Sequence, residues 1–257
     1  MPLFSLQNRV AIVTGASSGI GRAAALLFAQ AGAAVVVGAR RQPELDQLAA
    51  DIARLGGQAA AVAGDVRDEA YAQALVATAV ERFGGLDVAF NNAGTMGPLL
   101  PTPDVRLDAW NDTLATNLTS AFLGAQHQIP AMRARGGGSV IFTSTFVGHT
   151  AAFAGTAAYA ASKAGLIGLT QALATEFGAH GVRVNALLPG GTLTPMAHAM
   201  NATPEALTQV AGLHALRRLA QPEEIARAAL YLASDAASFV TGTAMLVDGG
   251  VSIHRGG

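Results

Sequence analysis

Apolar runs of four to six residues alternate along the chain with longer stretches of helical periodicity. The runs near 9–13, 34–38, 59–63, 87–90, 139–143, 182–187 and 244–247 read as strands. The segments near 19–31, 43–55, 69–83, 108–134, 158–179 and 222–233 carry apolar residues at three- and four-residue spacing and read as helices. Strand–helix alternation predicts a doubly wound α/β fold, a parallel seven-stranded sheet between two helical layers. Strands buried on both faces must be apolar without interruption, as Val35-Val36-Val37 and Val140-Ile141-Phe142 are. No repeat or linker divides the chain, which reads as one domain over 1–257. The stretch 190–221 stands apart, with Gly190, Gly191, Pro195, Pro204 and a short helical pattern only at 204–213. It reads as a mobile flap outside the sheet.

Composition narrows the class. Of 257 residues, 51% are hydrophobic and 13% charged, enough apolar material for a core and too little charge for a disordered chain. A net charge of −1 provides no field to gather nucleic acid or an anionic membrane. The chain has no cysteine, which excludes disulfides and thiolate metal sites and is compatible with a reducing cytoplasm, the expected location. Residues 1–10 lack the basic-then-apolar order of a secretory signal, and no apolar run of about 18 residues predicts a membrane span. The six histidines show no metal-ligand spacing, so no catalytic metal is expected. Glu223-Glu224 read as a solvated face.

Candidate chemistry begins at the first strand. Val10-Ala11-Ile12-Val13-Thr14 runs into Gly15-Ala16-Ser17-Ser18-Gly19-Ile20-Gly21, and an Ala/Leu-rich helix follows. Glycines there permit a tight turn and bring a pyrophosphate close to the free N–H groups of a helix N-terminus. Gly15, Ser17, Ser18, Gly19, Ile20 and Gly21 are therefore candidate dinucleotide contacts. The second strand ends Ala39-Arg40-Arg41. A site that prefers NAD places an acid there for the ribose hydroxyls, whereas a guanidinium matches a 2′-phosphate in charge and shape. The cofactor expected is NADP(H), with NAD(H) the alternative.

Tyr159 and Lys163 stand four apart in an Ala-rich helical segment and so share a face. A free tyrosine, with a pKa of about 10, is a poor proton donor near neutrality, and a nearby ammonium stabilises its phenolate. Lys163 is the only lysine in the chain, whereas fifteen other basic positions are arginine. This is the one place where a compact charge on a flexible stem suits the chemistry.

The spacing Thr14-Gly15-x-x-x-Gly19-x-Gly21 resembles that of the short-chain dehydrogenase/reductase family, and the resemblance continues almost end to end. Asp65-Val66, Asn91-Asn92-Ala93-Gly94, Asn117, Tyr159-x-x-x-Lys163, Asn185, Pro189-Gly190-x-x-x-Thr194 and Val247-Asp248-Gly249-Gly250 fall in the family's order. The resemblance implies a Rossmann fold, a nicotinamide cofactor and a ketone or secondary alcohol substrate. It implies that Tyr159 transfers the proton, that Lys163 also holds the nicotinamide ribose, and that Asn117 helps hold a water chain. Asp65 and Val66 would meet the adenine, Asn91, Ala93 and Gly94 would line the cofactor, and Pro189, Gly190, Thr192 and Thr194 would border the nicotinamide. One position departs. The family places a carbonyl-orienting serine thirteen residues before its tyrosine, and here that residue is Phe146. Aligning from the strand at 139–143 puts Thr145 in that role, while Ser144 serves if the extra residue lies before Gly148. Relatives of this kind pair through the helices near 108–134 and 158–179, which implies a homotetramer. The loops 94–103, 146–157 and 191–215 carry Met96, Leu99, Leu100, Phe146, Phe153, Met196 and Met200, and the flap has no Lys or Arg before Arg217. A neutral, fairly hydrophobic carbonyl compound is expected. The rivals are a beta-ketoacyl carrier-protein reductase, with Arg133 and Arg135 near the carrier surface, and a non-catalytic dinucleotide sensor.

Overall fold

A computed structural model describes residues 4–254. The sheet has seven parallel strands, β1 (Val10–Thr14), β2 (Ala34–Ala39), β3 (Gln58–Ala63), β4 (Val88–Asn91), β5 (Gly138–Thr143), β6 (Val182–Pro189) and β7 (Ala244–Val247), in the order β3-β2-β1-β4-β5-β6-β7. This is the expected doubly wound architecture. The pleat divides the core in two. Ala11, Val13, Val35 and Val37 face one layer, with Phe28, Leu45, Ile52 and Ile225, whereas Val10, Ile12 and Val36 face the other, with Leu75, Ile129, Met132 and Leu166. Side chains alternate across a strand, so neighbouring residues of one apolar run serve opposite faces.

The first layer is built from α1 (Gly19–Gln30), α2 (Gln42–Arg54) and α9 (Pro222–Ala233), the second from α3 (Glu69–Phe83), α5 (Ser120–Ala134) and α6 (Ala157–Phe177). Local chemistry sets their ends. The Asp68 carboxylate accepts from Ala70 N at 2.9 Å to start α3, and Gly84, left-handed at φ 85°, stops it. Glu224 closes a capping box at the start of α9 and forms an ion pair with Arg218 at 2.6 Å. This solvated acid is thus paired at the surface, and the Arg218 guanidinium holds its carboxyl down at about 2.

Two helices differ from expectation. The segment expected as one helix over 108–134 is α4 (Leu107–Leu114) and α5 joined by a π turn at Ala115–Thr119. A π turn inserts one residue into the helical repeat, a local event that a sequence apolar on both sides of it does not mark. The flap also holds one helix more than its sequence pattern marks. It contains α7 (Pro195–Met200) and α8 (Pro204–Gly212), each with a threonine N-cap, Thr194 and Thr203, followed by a proline. Its base is closed by backbone bonds, Leu193 N to Ala220 O and Ala220 N to Gly191 O, both 2.9 Å. Among the described residues no helix is long and apolar enough to cross a membrane.

Candidate active site

The strand order reverses between β1 and β4, and their carboxyl ends open the crevice where open α/β sheets bind ligands. Three side chains stitch this crevice together. Thr14 Oγ1 accepts from the N–H groups of Asn92 (3.1 Å) and Ala93 (3.2 Å), Asn92 Nδ2 donates to Thr14 O (3.2 Å), and Thr143 Oγ1 donates to Asn92 Oδ1 (3.2 Å). Asn91 faces the helical layer, where its amide and that of buried Gln128 exchange hydrogen bonds of 2.9 and 3.0 Å. The Asn91 side chain is thus structural, and its contribution to the crevice is backbone.

The glycine turn fits a pyrophosphate. Gly15 has φ 65°, and a Cβ on Gly21 would lie 2.3 Å from Gly15 O, so neither position tolerates a side chain. Ser18 is the extended N-cap of the twelve-residue α1 and makes no side-chain capping bond, so its hydroxyl does not satisfy the first-turn N–H groups. Ile20 packs against the first core. Across the turn, Thr194 Cγ2 lies 3.0 Å from where a Gly19 Cβ would be, while its hydroxyl caps α7. Thr192 is buried and donates to Gly190 O at 3.0 Å, and Gly190 lies against Asp248, where a Cβ would meet backbone at 2.7 Å. Pro189 ends β6 beside Val247.

At the end of β2, Ala39 is buried and Arg40 and Arg41 are exposed. Arg41 donates to Ser17 Oγ at 2.9 Å and pairs with Glu44 at 3.2 Å. Arg40 makes no side-chain hydrogen bond or ion pair among the described residues, but its charge, after the bonds from Arg67, helps hold the Asp65 carboxyl below its ordinary range. Asp65 and Arg67 are paired at 2.7 Å, and Val66 packs near Leu75.

The reactive groups gather at the carboxyl ends of β4 and β5. Lys163 is 4% exposed, and its Nζ donates to Thr143 O at 2.7 Å. Gly94 passes beside it: a Cβ there would lie 3.2 Å from both Lys163 Nζ and Asn117 Oδ1. The π turn buries Asn117, which accepts from Thr95 N (2.7 Å) and donates to Thr95 O (2.8 Å) and Ser162 Oγ (3.0 Å). These three bonds fix the orientation of its amide between Thr95 and Ser162. Tyr159 is half-buried against Phe146, Val147 and Val251, with its phenol beside Thr145. Ser144 Oγ points the other way and donates to Lys163 O at 2.8 Å in a buried bond. Of the two hydroxyls left open by the sequence, Thr145 meets the tyrosine and Ser144 ties helix α6 to the strand end.

Electrostatics here are governed by burial. It pushes the Tyr159 phenol up, against the downward pull of the Thr145 bond, and pushes the Lys163 ammonium down to about 8. Lys163 itself donates to Thr143 O, in the buried end of the pocket. Asn92, Thr143, Ser162 and His214 were not singled out from the sequence, although Asn92 lies within the quoted Asn-Asn-Ala-Gly run and Ser162 directly precedes Lys163. Among the described residues no group of three His, Asp or Glu is placed to hold a metal.

A family model described as enoyl-(acyl carrier protein) reductase matches residues 15–252. The chain is 38% identical over 242 residues to cyclohexanol dehydrogenase of Acinetobacter sp. (strain SE19), covering 94% of each chain. A solved structure described as an NAD(P)-dependent gluconate 5-dehydrogenase from Beutenbergia cavernae, with bound NADP at low occupancy, is 39% identical with a TM-score of 0.89, covering 96% of this chain and 97% of that one. A 7α-hydroxysteroid dehydrogenase complexed with NADH and 7-oxo glycochenodeoxycholic acid is 36% identical with a TM-score of 0.90, covering 96% and 95%. With its glycine turn, its Tyr–Lys pair and its doubly wound sheet, the chain belongs to the short-chain dehydrogenase/reductase family, and it is an oxidoreductase of the alcohol dehydrogenase kind.

Proposed function

We propose that the protein reduces a neutral, fairly hydrophobic ketone, or oxidises the matching secondary alcohol, with NADP(H). The observation that carries this reading is buried Lys163, held to the end of β5 at Thr143 O and beside Gly94, one helical turn from half-buried Tyr159. The cofactor supplies hydride transfer when bound. Tyr159 gives its phenolic proton to the carbonyl oxygen, or takes the proton of the alcohol in the reverse direction. Thr145 holds that oxygen at the phenol, Lys163 supports the phenolate and meets the ribose, and Asn117 fixes the π turn and the strand end at Thr95. The cation left unpaired at Arg40, beside Ala39 in place of an acid, supports a 2′-phosphate contact and so NADP(H) over NAD(H).

The mouth supports the substrate class. Phe146 and Phe153 meet edge to face at 6.0 Å, and Leu99, Leu100, Phe153, Met196 and Met200 are all more than 40% exposed on the loops assigned to the pocket. Apolar side chains left open to water mark a binding surface. The two nearest candidate clamps for an acid are engaged elsewhere, Arg106 with Asp108 at 2.9 Å and Arg217 with Gly212 O at 2.9 Å. The ring substrates named for the cyclohexanol and steroid relatives favour a cyclic ketone. A carrier-protein substrate is less well supported, because Arg135 pairs with buried Asp87 next to the start of β4, at the opposite end of the strands. A homotetramer is proposed on the family's pattern. Leu166, Leu169 and Leu173 pack inward, and the exposed face of α6 carries Ala161, Gly168, Gln171 and Ala172. The test is Tyr159→Phe, which keeps the ring and removes the proton. Turnover should fall roughly 10²-fold or more while cofactor binding persists; turnover within tenfold of the parent removes Tyr159 from the mechanism.

A further inference from the structure

His214 is a histidine to which the mechanism gives no task, and it is 2% exposed. It lies just beyond α8, on the flap. Its Nε2 accepts from Gly191 N at 2.9 Å, and its Nδ1 lies 2.9 Å from Val210 O. A backbone N–H can only donate and a carbonyl can only accept, so the ring is neutral with its proton on Nδ1. One nitrogen thus holds the flap's own helix, and the other reaches across to the turn that follows β6. The turn is shaped to receive it. A Cβ at position 191 would stand 2.9 Å from His214 Cε1 and 2.5 Å from Leu219 Cδ2, so the ring fits because residue 191 is glycine. On its other side the ring faces Gly249, whose Cβ would lie 3.4 Å from His214 Cδ2.

The remaining side-chain hydrogen bonds of 195–214 are internal to the flap: Thr194 to Ala197, Asn201 to Ala197, Thr203 to Ala206 and Thr208 to Pro204. The His214 ring ties α8 to the turn that follows β6, while Leu216 N donates to Gly249 O at 3.1 Å and Arg217 donates to Gly212 O at 2.9 Å. The turn it grips carries Thr192 and Thr194 and leads directly into α7, which carries Met196 and Met200. We propose that His214 is a positioning residue. Its Nε2 bond to Gly191 sets how closely the flap's apolar side chains close over the Tyr159 pocket, and thereby tunes substrate binding. This rests on the reading of 190–221 as a substrate flap in a ketone reductase.

Three variants separate the bond from the bulk. His214→Gln keeps an amide oxygen at the reach of Nε2, His214→Asn reaches only as far as Nδ1, and His214→Leu removes both bonds while staying apolar. With a cyclic ketone such as cyclohexanone, Leu and Asn should raise substrate KM about tenfold, the worth of one ordinary hydrogen bond. Their kcat should stay within about threefold and Gln should stay near the parent. Amide hydrogen exchange across 195–213, measured without substrate, should quicken by a similar factor in Leu and Asn and not in Gln. Unmoved exchange and KM in Leu and Asn overturn the proposal. So does a Gln variant that loosens as much as Leu, since then ring shape and not the Gly191 bond holds the flap. A parent enzyme that turns over no ketone refutes the reductase reading instead, and the exchange comparison still decides whether His214 holds the flap.

Discussion

Lys163→Met isolates the energetic cost of the site's charge. Lys163 Nζ is withdrawn from water, and burial pushes the ammonium down to about 8, whereas an unfolded lysine titrates near 10.4. At pH 7 both states hold the proton, and the folded state carries a buried ammonium. As pH rises through about 8, the folded protein releases its proton while the unfolded chain keeps it. The unfolded state then binds more protons, so stability increases with pH. Between pH 7 and 9.5 this gain is about 2 kcal/mol, and in full it approaches 3 kcal/mol. Methionine keeps the length of the stem and cannot titrate, so the variant lacks the rise. Its absolute stability at pH 7 changes less, because relief of the buried charge is offset by the donor lost from Thr143 O, about 1–3 kcal/mol. Urea unfolding followed by the fluorescence of Trp110, the only tryptophan, gives both profiles at one protein concentration. The parent-minus-variant difference should climb by about 2 kcal/mol from pH 7 to 9.5, and other groups cancel in the subtraction. A flat or falling difference means that Lys163 holds its proton in the folded state as firmly as a free lysine does, and the electrostatic account of the pocket fails.

Thr145→Ala should lower kcat by about 10²–10³, the scale of removing one donor from the reacting oxygen, while Ser144→Ala should lower the melting temperature and leave kcat within about threefold; the reverse pattern exchanges their assignments. NADPH should exceed NADH in kcat/KM, and Ala39→Asp with Arg40→Ala should invert the order, whereas a parent that prefers NADH refutes the reading of the β2 end. Light scattering at micromolar concentration should give the mass of four chains, and a monomer refutes the tetramer.

Much of this molecule is legible in its sequence because parallel strands buried on both faces must be written as uninterrupted apolar runs. All seven strands lie within two residues of where those runs place them. The glycine turn and the Tyr–Lys pair are legible for a similar reason: each demands residue types that nothing else there would select. What stays hidden depends on direction. Ser144 and Thr145 are adjacent hydroxyls whose opposite orientations follow from the register of β5 against α6, which no local pattern records. The π turn shifts the helix by one residue inside a continuous apolar pattern. The helix α7 has only six residues, too few for a periodic signal, although Thr194-Pro195 is a usable start mark. His214 was passed over because isolated histidines suggest metals only at ligand spacing. Its importance lies in a partner twenty-three residues away and in a glycine that makes room for it.

The threads through Thr14, Asn92 and Thr143 bear on how the chain reaches this state. They join residues 78 and 51 positions apart, and every strand pairing is parallel, so no hairpin can form any part of the crevice early. Closing such long loops is slow, and the contacts that repay it arrive together. The crevice exists only once the first, fourth and fifth strands have met, after most of the chain has been synthesised. A partly folded form would have helices but no place for a dinucleotide. Cofactor added during refolding therefore captures the finished protein and slows its unfolding, but does not guide the early steps.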